Sequence, residues 1–136
     1  MATKQIVQVE GRSLQLSNLD KVLWPRVGLT KANLLDYHAS LFGLTKHHWM
    51  DRTLTVTRYP HGVEGEFFYQ KNVPQSAPPW VATHQIEETN YIVAKDLATI
   101  SWLANSAAIE FHPSTFVTSR PNVPSYAIID LDPTAP

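Results

Sequence analysis

The sequence predicts an α+β fold, a curved and mainly antiparallel sheet with two principal helices near residues 30–42 and 96–106. Short β-prone runs recur in pairs around tight turns. Two longer segments carry apolar residues at helical spacing. No internal repeat, low-complexity tract or linker divides the 136 residues, so 1–136 is expected to be a single domain.

Ile6, Val7 and Val9, then Leu14 and Leu16, bracket Glu10-Gly11-Arg12, which predicts a hairpin. Ser17-Asn18 ends that pattern. Pro25 and Gly28 make the following stretch a loop. Thr30 is placed to cap the first helix, whose apolar face is Leu34, Leu35, Tyr37, His38, Leu41 and Phe42, and Gly43 can close it. His47 and His48 are neighbours and cannot both face one metal from a helix, so both are expected at the surface or partly packed. Arg52 to Tyr59 alternates as a strand, Pro60-His61-Gly62 turns it back, and Phe67 to Lys71 returns. Val81–Ile86 and Tyr91–Ala94 form a second hairpin. Asp96 can cap the second helix, with Leu97, Ile100, Leu103, Ala104 and Ala107 as its core stripe. Ala108 to His112 reads as a strand stopped by Pro113.

Composition narrows function only by exclusion. Hydrophobic residues at 43% and charged residues at 17% describe an ordinary chain able to bury a core, with four Trp, five Tyr and five Phe to fill it. The absence of Cys removes disulfides, thiolate zinc sites and a cysteine nucleophile. No apolar run is long enough to span a bilayer, and the N-terminus lacks a signal peptide's apolar core, so a cytoplasmic protein is expected. The net charge of −1 hides an asymmetry: residues 1–71 carry nine Lys/Arg against six Asp/Glu, and residues 72–136 carry two against six. A basic front half suits phosphates, and an acidic back half suits cations.

Three features leave alternatives open on the residues alone. Tyr126 to Ile129 reads as a buried strand ending in Asp130-Leu131-Asp132-Pro133, with both carboxylates on one face. That pair can hold a divalent metal, or it can be an ordinary solvated turn. Lys31, in the first turn of a helix, is either a solvated surface residue or a phosphate ligand assisted by the backbone donors of the helix start. Phe67 and Phe68 should point to opposite faces, one into the core and one exposed beside Arg58 and Lys71 as a platform for a base. Sheet curvature burying both rings is the other possibility.

Seven motifs stand in order along the chain. They are Leu16-Ser17-Asn18-Leu19-Asp20-Lys21-Val22-Leu23-Trp24-Pro25, Gly28-Leu29-Thr30-Lys31, Arg58-Tyr59-Pro60-His61-Gly62, Phe67-Phe68-Tyr69-Gln70-Lys71, Trp102-Leu103-Ala104-Asn105, Glu110-Phe111-His112-Pro113 and Ile129-Asp130-Leu131-Asp132-Pro133. Together they resemble the polymerase domain of DNA ligase D, a primase-type nucleotidyltransferase of prokaryotic non-homologous end joining, over nearly the whole chain. The resemblance implies the fold of the N-terminal part of a primase-polymerase domain. It implies divalent metal, Mn²⁺ or Mg²⁺, on Asp130 and Asp132, with His112 beside the metals and the phosphates of a nucleoside triphosphate. It implies that Lys21 and Lys31 grip a 5′-phosphate at a DNA break. It places Phe67 and Phe68 against the template strand near that end, with Lys71 among the DNA-binding residues. DNA ends, Ku, a DNA ligase and a second polypeptide completing the catalytic centre are the partners implied.

Two departures stand out. Ser114 follows the His-Pro pair where many relatives have Trp. The sequence stops at Pro136, ahead of the family's third metal-binding Asp and its triphosphate-binding residues, so the chain is expected to lack the C-terminal catalytic segment. Two-metal phosphoryl transfer needs more carboxylates than two. The competing expectations are an enzyme or enzyme half that adds nucleotides at DNA ends, and a non-catalytic module that binds 5′-phosphorylated ends. A metal-dependent glycosyltransferase also uses Asp-x-Asp, but leaves Lys21, Lys31 and the Phe pair without a role.

Overall fold

A computed structural model describes residues 4–134. A hairpin of β1 (Lys4–Val9) and β2 (Arg12–Ser17) leads into two short paired strands, β3 (Val22–Trp24) and β4 (Leu29–Thr30). Helix α1 (Lys31–Trp49) follows. Then come β5 (Thr53–Arg58), β6 (Phe68–Gln70), β7 (Ala82–Ile86) and β8 (Thr89–Val93). Helix α2 (Leu97–Asn105) and strand β9 (Ala108–Pro113) complete the described elements.

β5, β6, β7, β8 and β9 form one antiparallel sheet centred on β5. β9 runs along one edge of β5, from Leu54 to Arg58. The other edge is shared, with β8 beside Thr53 and Leu54 and β6 beside Val56 to Arg58. β7 pairs outside β8. Alternation along β5 sends Leu54 and Val56, both fully buried, into the core with Ile92, Ile100, Trp102 and Leu103. A smaller cluster of Leu23, Leu34, Ala104 and Ala107 packs where β3, α1 and α2 meet. The α+β architecture, the two helices and the hairpins follow the sequence pattern.

Two expectations are corrected. Helix α1 does not stop at Gly43 but runs six residues further. A mid-helix Gly costs about 1 kcal/mol relative to Ala, and the added turns bury Trp49 against Phe42, ring centres 5.4 Å apart. The second correction concerns the chain end. Residues 126–134 form no strand, and Ile128, Ile129 and Leu131 lie in solvent at 67%, 83% and 81% exposure. A strand needs a neighbour for its backbone groups. The chain is held up to Tyr126, where Ser125 donates to the Thr115 carbonyl (2.8 Å) and the Arg52 guanidinium covers the Tyr126 ring at 4.7 Å. No ladder partner is offered beyond it among the described residues.

Candidate functional site

The loop between β5 and β6 is fastened to β3. Val63 donates to the Leu23 carbonyl at 2.8 Å, and Gly62, with φ +85, lies so close that a Cβ there would meet the same carbonyl at 2.9 Å. This contact brings the Lys21 region of β3 to the end of β5. Lys21 Nζ donates to the Pro60 carbonyl. Lys31 is buried, and its Nζ donates to the Ser17 carbonyl at 2.8 Å. Arg58 donates its Nε–H to the Ser106 carbonyl at 2.8 Å. The three cations line one cleft of about 140 Å³, closed by Pro60, Asn105, Ser106 and Ala107.

The electrostatics of this cleft call for an anion. Burial pushes the Lys31 ammonium below the ordinary lysine range, and the charges of Lys21 and Arg58 push it further. Burial also lowers Arg58. A negative charge between them would favour the charged form of each. The backbone contributes less than the sequence led us to expect. Lys31 N–H is taken by the Lys21 carbonyl, Ala32 N–H by the Leu19 carbonyl, both at 2.9 Å, and Asn33 N–H by Thr30 Oγ1. The first turn of α1 is occupied by the chain itself, so side chains carry the cleft.

Arg58 is the residue that sequence reasoning passed over as a mere neighbour of the Phe pair. Its role depends on β5 register: it pairs directly with Phe68 and so faces the helices, over the cleft. The alternation Leu54, Val56, Arg58 was the available signal.

Phe67 and Phe68 do take opposite faces, yet neither is core; they are 52% and 44% exposed. β6 is an edge strand of three residues, paired with β5 alone. Phe68 lies beneath the Arg58 guanidinium at 5.2 Å. Phe67 stacks on Tyr59 on the other face, ring centres 5.4 Å apart, and meets Tyr69 edge-on at 5.9 Å. Lys71 is exposed just past β6.

His112 sits on the sheet face opposite the cation cleft. Its Nε2 is 3.0 Å from Thr57 Oγ1 and 3.3 Å from Glu110 Oε2. Tyr59 donates its hydroxyl to Glu110 Oε1 at 2.9 Å. Hydrogen bonds from Thr57, then Tyr59, then His112 hold the Glu110 carboxyl below the usual carboxylate range, and the same bond raises the Tyr59 phenol. The structure therefore brings Lys21 and Lys31 together and sets His112 apart from them. Asp130 and Asp132 lie in solvent on the unpaired terminal segment. Among the described residues no three His, Asp or Glu side chains gather to hold an ion. Two carboxylates on an unfixed segment do not fit a resident pair of divalent ions, which require several oxygen ligands in set geometry.

Residues 30–136 match a family model described as LigD, primase-polymerase domain. The chain is 37% identical over 120 residues to the bifunctional non-homologous end joining protein LigD of Bacillus subtilis (strain 168), covering 88% of the chain and 20% of that protein. It is 35% identical over 126 residues to the multifunctional LigD protein of Mycolicibacterium smegmatis, covering 88% and 16%. Among solved structures it resembles the polymerase domain from Mycobacterium tuberculosis ligase D in complex with DNA, with TM-score 0.72 and 33% identity over 76% of this chain and 38% of that one. The chain thus spans a fifth or less of the length of these curated relatives.

Proposed function

Because the chain belongs to the LigD primase-polymerase family, we propose that it recognises DNA ends bearing a 5′-phosphate, as the end-binding part of a nucleotidyltransferase of non-homologous end joining. The observation that carries this reading is the convergence of Lys21, Lys31 and Arg58 on one cleft beside an exposed aromatic edge. A terminal phosphate bears more charge than an internal diester and gains most from three clustered cations. Phe67 and Phe68 supply faces on which unpaired bases stack without regard to sequence. Lys71, exposed past the same strand, adds charge for the backbone. In that setting the partners are the break, Ku and a DNA ligase, around the nucleotidyltransferase's catalytic centre. His112, with Glu110 and Tyr59 ordering its surroundings, serves that centre from the opposite face.

Fluorescence anisotropy tests this reading directly. A recessed 5′-phosphate end should bind more tightly than the same end with a 5′-hydroxyl, over a salt range that keeps binding measurable. Equal affinity would overturn the end-recognition reading.

The metal belongs to the same proposal in a limited form. Asp130 and Asp132 should bind manganese weakly, because two carboxylates leave most of the coordination to water. Calorimetry with Mn²⁺ on the wild type and on Asp132→Ala should differ; identical traces would remove the pair as a site.

A further inference from the structure

Arg58 touches two things at once. Its guanidinium lines the cation cleft and also covers the Phe68 ring at 5.2 Å. Nε is committed to Ser106 and Nη1 leans on Gln70 Oε1 at 3.4 Å, while Nη2 has no protein acceptor among the described residues. Phe67, on the other face of the edge, rests on Tyr59 and shares no such link with the cleft.

We propose that Arg58 makes base stacking on Phe68 depend on the terminal phosphate, so that one guanidinium ties charge recognition in the cleft to stacking at the sheet edge. This deepens the end-recognition reading above and rests on it. Without an anion between them the three like charges repel one another, and the guanidinium is anchored through one firm bond. An entering phosphate offsets that repulsion and takes the free Nη2 donors in charge-assisted hydrogen bonds. The plane of the guanidinium is then fixed, and with it the Phe68 ring that it covers. A fixed ring presents its free face to a base at a lower entropic cost. Phe67 lacks this route, so its contribution should ignore the phosphate. Each molecule therefore contains its own control.

Binding of 5′-phosphate and 5′-hydroxyl ends, each with an unpaired 3′ extension, is measured for wild type, Phe67→Ala, Phe68→Ala, Arg58→Lys and the Arg58→Lys/Phe68→Ala double variant. Phe68→Ala should cost about threefold to fivefold more affinity on phosphorylated than on hydroxyl ends, the scale of one cation–π contact. Phe67→Ala should cost the same on both. Arg58→Lys keeps the charge and loses the planar stack, so in that background the extra cost of Phe68→Ala should vanish. Wild-type phosphate preference together with an equal Phe68→Ala cost on both ends overturns the coupling and leaves the end-recognition reading standing. A differential cost that survives Arg58→Lys assigns the link to another residue and likewise overturns the proposal. Absence of any wild-type preference removes both readings.

Discussion

Lys31→Met is expected to lose most of the preference for 5′-phosphate ends while leaving the fold intact. Losing one charged hydrogen-bond donor should cost about 1–3 kcal/mol of binding, a factor of roughly 5 to 150. The buried Lys31 has an ammonium weakened first by burial and then by Lys21 and Arg58. The sign of its linkage follows. Its folded pKa lies below the ordinary 10.5, so the proton is held less well in the folded state. Below the lowered value the cost of the buried charge is fully present. As pH climbs from that value to 10.5 the unfolded state binds more protons, and stability rises. Lys31→Met should abolish this alkaline rise, read as the wild-type-minus-variant melting difference across pH. A phosphorylated oligonucleotide should raise the melting temperature of the wild type well above its effect on the variant. Equal stabilisation of both proteins would remove Lys31 from the phosphate site.

Leu54→Ala should have the largest effect on stability. Leu54 is fully buried in the central strand, paired with Ile92 on one side and Pro113 on the other. Leu→Ala changes at such positions cost about 3–5 kcal/mol, against a total of about 5–15 for an ordinary domain. With a urea dependence of about 2 kcal/mol per molar, the unfolding midpoint should fall by about 1.5–2.5 M. A shift under about 0.5 M would mean that the surrounding core collapses into the space, which a β5 hemmed in by strands on both edges does not favour.

What the sequence disclosed was whatever depends on near neighbours. The helices at Lys31 and Leu97 announce themselves through Thr30 and Asp96, whose side chains accept from Asn33 and Thr99. The hairpins are equally local, since register follows from the turns at Glu10-Gly11 and Glu87-Glu88. Long-range features escaped. The run Tyr126 to Ile129 has the composition of a buried strand, but burial requires a partner, and composition cannot supply one. The facing of Arg58 was legible in the β5 alternation, but its place in the cleft depends on Ser106, 48 residues away. The donors at the start of α1 are taken by the Leu19 and Lys21 carbonyls folding back, a loop contact without a periodic signature.

The bare terminal segment has a colloidal consequence. Tyr126 to Asp132 is β-prone, rich in exposed apolar surface and free of Pro. Such a segment is a template for stacking between molecules. Asp130 and Asp132 are the only charges on it, and their mutual repulsion between copies acts as a gatekeeper. A divalent cation that neutralised them would remove that protection, and clustering of the isolated chain would then rise with its concentration.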